Sequence, residues 1–191
     1  MNLVLIRHGK TEANEKHLYC GSTDIALSES GFSELEELKS KVSYPNIAGY
    51  RIITSGMIRC EQTLSLLYGD IPHEKMPFFG EMDFGEFEMR SYEQMKSEAD
   101  YIAWISGDNN TNVAPGGESG LIMTSRVQTA IDGIVKDGRN TVVVTHGGPI
   151  AAIMSGIFTS ENKNRYEWQP KPGLGYSLSI VNGIYSYDVI G

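Results

Sequence analysis

The sequence predicts an α/β fold: a three-layer α/β/α sandwich on a mainly parallel sheet with an antiparallel edge. Three observations lead there. Short continuous apolar runs such as Leu3-Val4-Leu5-Ile6 and Val142-Val143-Val144 read as strands buried on both faces, the pattern of parallel sheets. They alternate with stretches whose apolar residues recur at helical spacing. Near the carboxyl end, two runs rich in β-branched and aromatic residues flank Asn182-Gly183, the dipeptide best suited to a tight hairpin turn.

The first strand runs from Asn2 to Arg7 into a polar loop. Ser28 is placed to cap a helix carrying Phe32, Leu35, Leu38 and Val42 at helical spacing. A second strand, Tyr50 to Thr54, leads through Ser55-Gly56 into a helix with Arg59, Thr63, Leu64 and Leu67. The middle is punctuated by Pro72, Pro77, Gly80 and Gly85, after which one helix is expected from Ser91 towards Trp104. Residues 106–117, rich in Gly, Asn and Asp, read as loop. A long helix follows over about 119–136, with Ile122, Val127, Ile131 and Ile134 expected inward. Strand Thr141 to Thr145 meets His146-Gly147-Gly148, and Pro149 suits the opening of the next helix. Tyr176 to Val181 and Ile184 to Val189 form the hairpin. The expected organisation is a single domain over 1–191 with an irregular, lid-like insertion at about 77–118.

Composition narrows the function. The 191 residues carry 16 Lys plus Arg against 24 Asp plus Glu, a net charge of −8. An acidic chain offers no broad surface to nucleic acid or an anionic membrane, although a local basic site remains open. Mean hydropathy is −0.24, and no run supplies the ~20 apolar residues of a membrane span. Cys20 and Cys60 form neither a CxxC pair nor a metal-ligand spacing, as expected of reduced thiols in a cytoplasmic protein.

The stretch Leu5-Ile6-Arg7-His8-Gly9-Lys10-Thr11 contains Gly-Lys-Thr, the end of a nucleotide-binding P-loop. That motif needs a second glycine where this chain has Val4, inside a strand, so the phosphate cradle is excluded. Another pattern accounts for it. Three strands finish in polar punctuation: Arg7-His8-Gly9, Thr54-Ser55-Gly56 with Arg59 a turn later, and Thr145-His146-Gly147. Ligands of such sheets bind beyond the carboxyl ends of the strands, so two arginines and two histidines gather at one edge.

That edge suits a phosphate monoester. Arginine pairs with phosphate oxygens at fixed geometry, a role for Arg7 and Arg59. Helix amino ends near Gly56 and Gly147 add backbone donors, and Asn14 adds an amide. One histidine must be neutral to attack phosphorus while the other, protonated, steadies the growing charge. His8 is assigned the attack, because its place before Gly9 leaves room for substrate. A metal site is the alternative; it would need carboxylates such as Asp24 or Glu81 to converge with the histidines. His17 and His73 fall in polar loops and are read as structural.

Arg7-His8-Gly9-Lys10-Thr11 with Asn14 resembles the RHG signature of the histidine phosphatase superfamily, which includes the cofactor-dependent phosphoglycerate mutases. The similarity continues in family order through Gly21-Ser22-Thr23-Asp24, Leu27 to Gly31, Thr54-Ser55 to Arg59 and Thr63, Glu81 with Phe84-Gly85-Glu86, Gly117-Glu118-Ser119 with Arg126, and Thr145-His146-Gly147-Gly148. The resemblance implies that His8 is phosphorylated and that Arg7, Asn14, Arg59, His146 and Gly147 bind the phosphoryl group. It implies that Glu81 protonates the leaving oxygen and then activates water, and that Cys20 and Gly21 contact substrate. No metal or other cofactor is implied. Lys10 stands where Glu or Gln is commoner, and Phe87-Glu88-Met89 replaces the frequent Trp-Glu-Gly.

Within the superfamily, Glu81-Met82, Phe84-Gly85, Phe87 to Arg90 and Tyr101 to Trp104 resemble the α-ribazole phosphatase branch of cobalamin lower-ligand assembly. Those aromatics suit either stacking on a benzimidazole or packing in the core. Mutases are usually longer in the middle, which favours a phosphatase. The expected activity is a metal-independent phosphomonoesterase acting on a small phosphorylated metabolite, with α-ribazole 5′-phosphate as the candidate, as a monomer or homodimer. A phosphoglycerate mutase-type phosphotransferase and an inactive phosphate-ester-binding protein are the alternatives.

Overall fold

The computed structural model describes residues 1–108 and 110–191. Its sheet has six strands: β1 (Asn2–Arg7), β2 (Arg51–Thr54), β3 (Glu74–Lys75), β4 (Thr141–Thr145), β5 (Gly175–Val181) and β6 (Ile184–Ile190). The spatial order is β3-β2-β4-β1-β5-β6. The first four are parallel, and β5 and β6 form the antiparallel edge, as the hairpin signal predicts.

Helices cover both faces. They are α1 (Glu12–Glu15), α2 (Glu29–Lys41), α3 (Ile58–Tyr68), α4 (Tyr92–Met95), α5 (Ala99–Ser106), α6 (Gly120–Asp137) and α7 (Gly147–Ile157). Alternation along β1 explains the layering, because successive side chains point to opposite faces. Leu3 and Leu5 join Val143 and the apolar residues of α6 and α7, whereas Val4 and Ile6 join Val142, Val144 and those of α2 and α3. Each such side chain, fully withdrawn from water, contributes about 1.5–3 kcal/mol.

Several elements differ from expectation. The loop after β1 contains α1, a single turn capped by Thr11. Ser28 caps α2 as expected, but Val42 ends that helix rather than extending it. The helix foreseen from Ser91 is two, α4 and α5, split at residues 96–98; Glu98 turns back to pair with Arg90. In α6 the inward stripe is Met123, Val127, Ala130, Ile131 and Ile134, and Ile122 is exposed. The stripe therefore runs one residue out of phase with the expected one at its start. Asn109, part of the predicted loop 106–117, lies outside the described residues.

Register positions the site. Arg7 of β1 stands opposite Thr145 of β4, and the His8 N–H donates to the Thr145 carbonyl at 2.9 Å. One residue beyond the sheet, His8 and His146 therefore leave side by side, with ring centroids 5.0 Å apart.

Candidate active site

His8 is 5% exposed. Its Nδ1 lies 2.7 Å from the Gly9 carbonyl, which only accepts, so Nδ1 carries the hydrogen and Nε2 keeps its lone pair. Burial, then Arg59 and Arg7, hold its pKa well below the usual 6.5. The Gly9 N–H donates to Thr63 Oγ1 at 2.9 Å, tying this turn to α3.

Arg59, on the first turn of α3, is 1% exposed. Its Nη1 donates to the Thr23 carbonyl at 2.9 Å, its Nη2 to the Gly21 carbonyl at 2.8 Å, and its Nε to His146 Nδ1 at 3.2 Å. A guanidinium has five N–H donors, so two remain for an anion. Because it cannot accept, His146 Nδ1 must be unprotonated, and the Nε2 hydrogen is given to Ser55 Oγ at 2.9 Å. His146 is therefore neutral here, not the imidazolium that the sequence argument assigned to the second histidine. Burial, then the nearby His8 and the arginines, push its pKa well below normal. A phosphate dianion alongside would act in the opposite sense.

Arg7 donates from Nη1 to the Pro170 carbonyl at 2.8 Å, while its buried Nε has no partner among the described residues. A buried charged donor without an acceptor is costly; here it lines a cavity of about 230 Å³. Asn14 lines the same cavity. Its Oδ1 accepts from the N–H and hydroxyl of Thr11, both at 3.0 Å, which leaves the amide NH₂ as its available end.

Glu81 stands between this cavity and a second one of about 390 Å³ lined by Ser55, Glu118 and Arg126. Its carboxylate accepts from the N–H of Met82 and of Gly148, each at 2.9 Å. The amino end of α7, expected to face phosphate through Gly147, thus has its second N–H turned to Glu81. Arg126 sets the Glu81 backbone by donating to the carbonyls of Phe78, Gly80 and Glu81, each at 2.8 Å, while paired with Glu118.

The two expected substrate contacts fare differently. Cys20 lines the first cavity and Gly21 the second. The Gly21 N–H is spent on Glu88 Oε1 at 2.9 Å and its carbonyl on Arg59, so Gly21 positions the arginine instead of presenting a donor. It must be glycine: a Cβ would sit 1.7 Å from the Met82 carbonyl oxygen. Of the aromatics, Phe87 and Tyr101 are core residues at 2% and 1% exposure, whereas Trp104 reaches the cavity wall. Sequence reasoning missed Ser55 as the partner of His146, and also Arg165, Tyr166 and Gln169, which line the cavity from residues 158–170. No periodic signal marks that irregular stretch.

Asp24 accepts from the Ile58 N–H at 2.8 Å, at the start of α3. Among the described residues, no three His, Cys, Asp or Glu side chains gather as metal ligands, and no helix is long and apolar enough to cross a membrane.

Fold and strand-end site together define a phosphoglycerate mutase-like α/β protein. The chain belongs to the histidine phosphatase superfamily, branch 1, whose family model matches residues 3–182. An adenosylcobalamin/alpha-ribazole phosphatase from Salmonella typhimurium is 28% identical, with 100% of this chain and 96% of that one covered. A 2,3-bisphosphoglycerate-dependent phosphoglycerate mutase from Beijerinckia indica is 27% identical over 98% of this chain and 97% of its own. Length therefore does not separate the two activities. The crystal structure of a putative alpha-ribazole-5′-P phosphatase from Escherichia coli superimposes with a TM-score of 0.87 at 25% identity, covering 100% of this chain and 96% of that one.

Proposed function

We propose that this protein is a metal-independent phosphomonoesterase acting through a phosphohistidine at His8. The observation that carries the reading is the fixed tautomer of His8: Nδ1–H donates to the Gly9 carbonyl at 2.7 Å, so Nε2 keeps its lone pair, and the adjoining Arg7 has a buried Nε with no partner among the described residues. His8 Nε2 attacks phosphorus, and the P–O bond to the leaving group breaks. Arg7, Arg59 and Asn14 hold the phosphoryl oxygens, with His146 beside them. Glu81, protonated in this step, gives its proton to the departing alkoxide. It then takes a proton from the water that attacks phosphohistidine, releasing inorganic phosphate and restoring neutral His8. Fixed arginines here supply the charge compensation that a metal supplies in other phosphoryl transferases.

The proposed substrate is a small phosphorylated metabolite, with α-ribazole 5′-phosphate preferred over 3-phosphoglycerate. Support comes from the Salmonella relative and from the aromatic wall of Tyr19, Phe84 and Trp104 in the cavity. Phosphate release in the presence of chelator, abolished together with acid-labile labelling in His8→Ala, is the expected result. Labelling that survives in that variant overturns the nucleophile, and activity restored only by a divalent metal overturns the metal-free mechanism. The Beijerinckia relative keeps a mutase reading in view. Isomerisation of phosphoglycerates primed by the bisphosphate, without phosphate release, would establish that reading instead.

A further inference from the structure

We propose that Tyr44 is a positioning residue for the reaction at His8: its hydroxyl latches, through Gly173, the turn that holds the backbones of Arg7 and His8. This rests on phosphoryl transfer at His8 and adds what sets the nucleophile's place from outside the cavity.

Arg7 and His8 lie where β1 leaves the sheet. On one side the His8 N–H is tied to the Thr145 carbonyl at 2.9 Å. On the other, their bonds run to one short segment, residues 170–174. The Arg7 N–H donates to the Leu174 carbonyl at 2.9 Å, and the Gly173 N–H is shared between the carbonyls of Arg7 at 3.1 Å and His8 at 3.2 Å. The Pro170 carbonyl accepts from Arg7 Nη1 at 2.8 Å. A phosphate-binding side chain and the main chain of the nucleophile therefore depend on the same five residues.

That segment does little to hold itself. Pro170 and Pro172 have no N–H to give, and the internal backbone bond runs from the Leu174 N–H to the Lys171 carbonyl at 3.0 Å. Gly173 supplies the bend at φ 81°, where glycine is at ease. A Cβ there would lie 2.9 Å from both Leu35 and Leu38 of α2. The Gly173 carbonyl accepts from the Tyr44 hydroxyl at 2.8 Å, and among the described residues no other group donates to it. Gly173 is buried, so without that hydroxyl its carbonyl would be left unpaired at a cost that favours turning the bend.

Tyr44 suits the task. It is half-buried just after α2, and its ring meets that of Tyr68 on α3 edge to face at 6.5 Å and 81°. Burial pushes its pKa up to about 12, so the hydroxyl keeps its proton at neutral pH. Tyr44 lines neither cavity, so its effect on rate passes through Gly173. Small shifts suffice, since misplacing a reacting group by about 1 Å costs on the order of 10²-fold.

Tyr44→Phe compared with Tyr68→Phe tests the latch. The Tyr68 hydroxyl is buried without a partner among the described residues, so the two variants lose the same atom from neighbouring rings, and only one of those atoms holds Gly173. Tyr44→Phe should slow single-turnover phosphorylation of His8 by about tenfold and speed hydrogen exchange at the Gly173 amide. Tyr68→Phe should do neither. The affinity of Tyr44→Phe for inorganic phosphate should fall much less than its phosphorylation rate, because bound phosphate can follow Arg7 whereas attack demands alignment. Unchanged exchange at Gly173 overturns the latch. Faster exchange at an unchanged rate, or equal losses in phosphate affinity and phosphorylation, overturns the positioning role. A wild type that hydrolyses no ester refutes the phosphatase reading and the positioning role with it, while exchange at Gly173 still decides the latch.

Discussion

Arg59 Nε donates to His146 Nδ1 across 3.2 Å, which fixes a buried histidine as the neutral tautomer through a donor that can never accept. The same guanidinium holds the carbonyls of Gly21 and Thr23. Lysine cannot reproduce this fork, since its ammonium is a point charge on a flexible stem. Arg59→Lys should therefore lose about 2–4 kcal/mol of stability as buried carbonyls go unpaired. It should also lower kcat/KM by about 10²-fold or more through lost charge-assisted bonds to phosphate. Urea unfolding and initial rates on one substrate read the two effects separately. A stable Arg59→Lys variant of normal activity would show that the fork is dispensable.

The depressed pKa values of His8 and His146 predict a pH dependence of stability. Both are neutral when folded but charge near pH 6.5 when unfolded, so below that pH the unfolded chain binds more protons. Stability is then fully present above about 6.5 and falls as pH drops towards the folded values, by at most about 1.4 kcal/mol per pH unit per histidine. His73 has a raised pKa, first through the Ile71 carbonyl, and acts with the opposite sign: its contribution is present below 6.5 and is lost as pH rises through its folded value. Urea midpoints between pH 7.5 and 5.5 should decline in the wild type and decline less in His146→Gln.

Gly148 offers a way to disable Glu81 without touching its charge. A Cβ there would lie 2.1 Å from Glu81 Oε1, so alanine must displace the carboxylate. Alanine also suits the α7 helix better than glycine by up to about 1 kcal/mol. Gly148→Ala should keep the thermal midpoint within a few degrees while reproducing the kinetic defect of Glu81→Gln. That defect should be on the order of 10²-fold in single-turnover phosphorylation by an alkyl phosphate and much smaller with an activated aryl phosphate, whose leaving group needs no proton. Equal losses on both esters would remove Glu81 from the acid role.

Met89 occupies the position where the family commonly has glycine, and its φ is 57°. A left-handed conformation costs a non-glycine residue roughly 1–2 kcal/mol, partly offset by the greater unfolded-state freedom that glycine brings. Met89→Gly should leave stability unchanged or raise it slightly. Met89→Val, β-branched at positive φ, should lower it by at least about 1 kcal/mol. Thermal unfolding of the two variants decides the matter.

What the sequence revealed follows from the range of the forces involved. Strand-end punctuation placed Arg7, His8, Arg59 and His146 at one edge because a buried strand is a local pattern and the register of β1 with β4 does the rest. Ser28 and Asn182-Gly183 were legible for the same reason, since caps and hairpin turns depend on a few neighbouring residues. The break between α4 and α5 was not: it falls at residues 96–98, where Glu98 pairs with Arg90 from the far side of α4, a contact no local pattern announces. Nor was β3: both its residues are exposed, so no apolar pattern marks it. Glu81 came from family resemblance alone; its place depends on Arg126, 45 residues away. The neutral state of His146 could not be read from residue types, since it depends on which nitrogen faces Arg59 and which faces Ser55.

Glu88 joins two distant stretches into one body. Its carboxylate accepts from the backbone N–H groups of Gly21, Ser22 and Thr23 and from that of Phe84. The 77–118 stretch therefore cannot swing away without pulling on the loop whose carbonyls hold Arg59. A hinged cover built this way would disturb the carbonyls that hold Arg59 at every opening, so traffic to and from the cavity is expected without it. Slow gating by that stretch is consequently a poor candidate for the step that limits turnover, and thickening the solvent should slow the protein only as far as it slows diffusion.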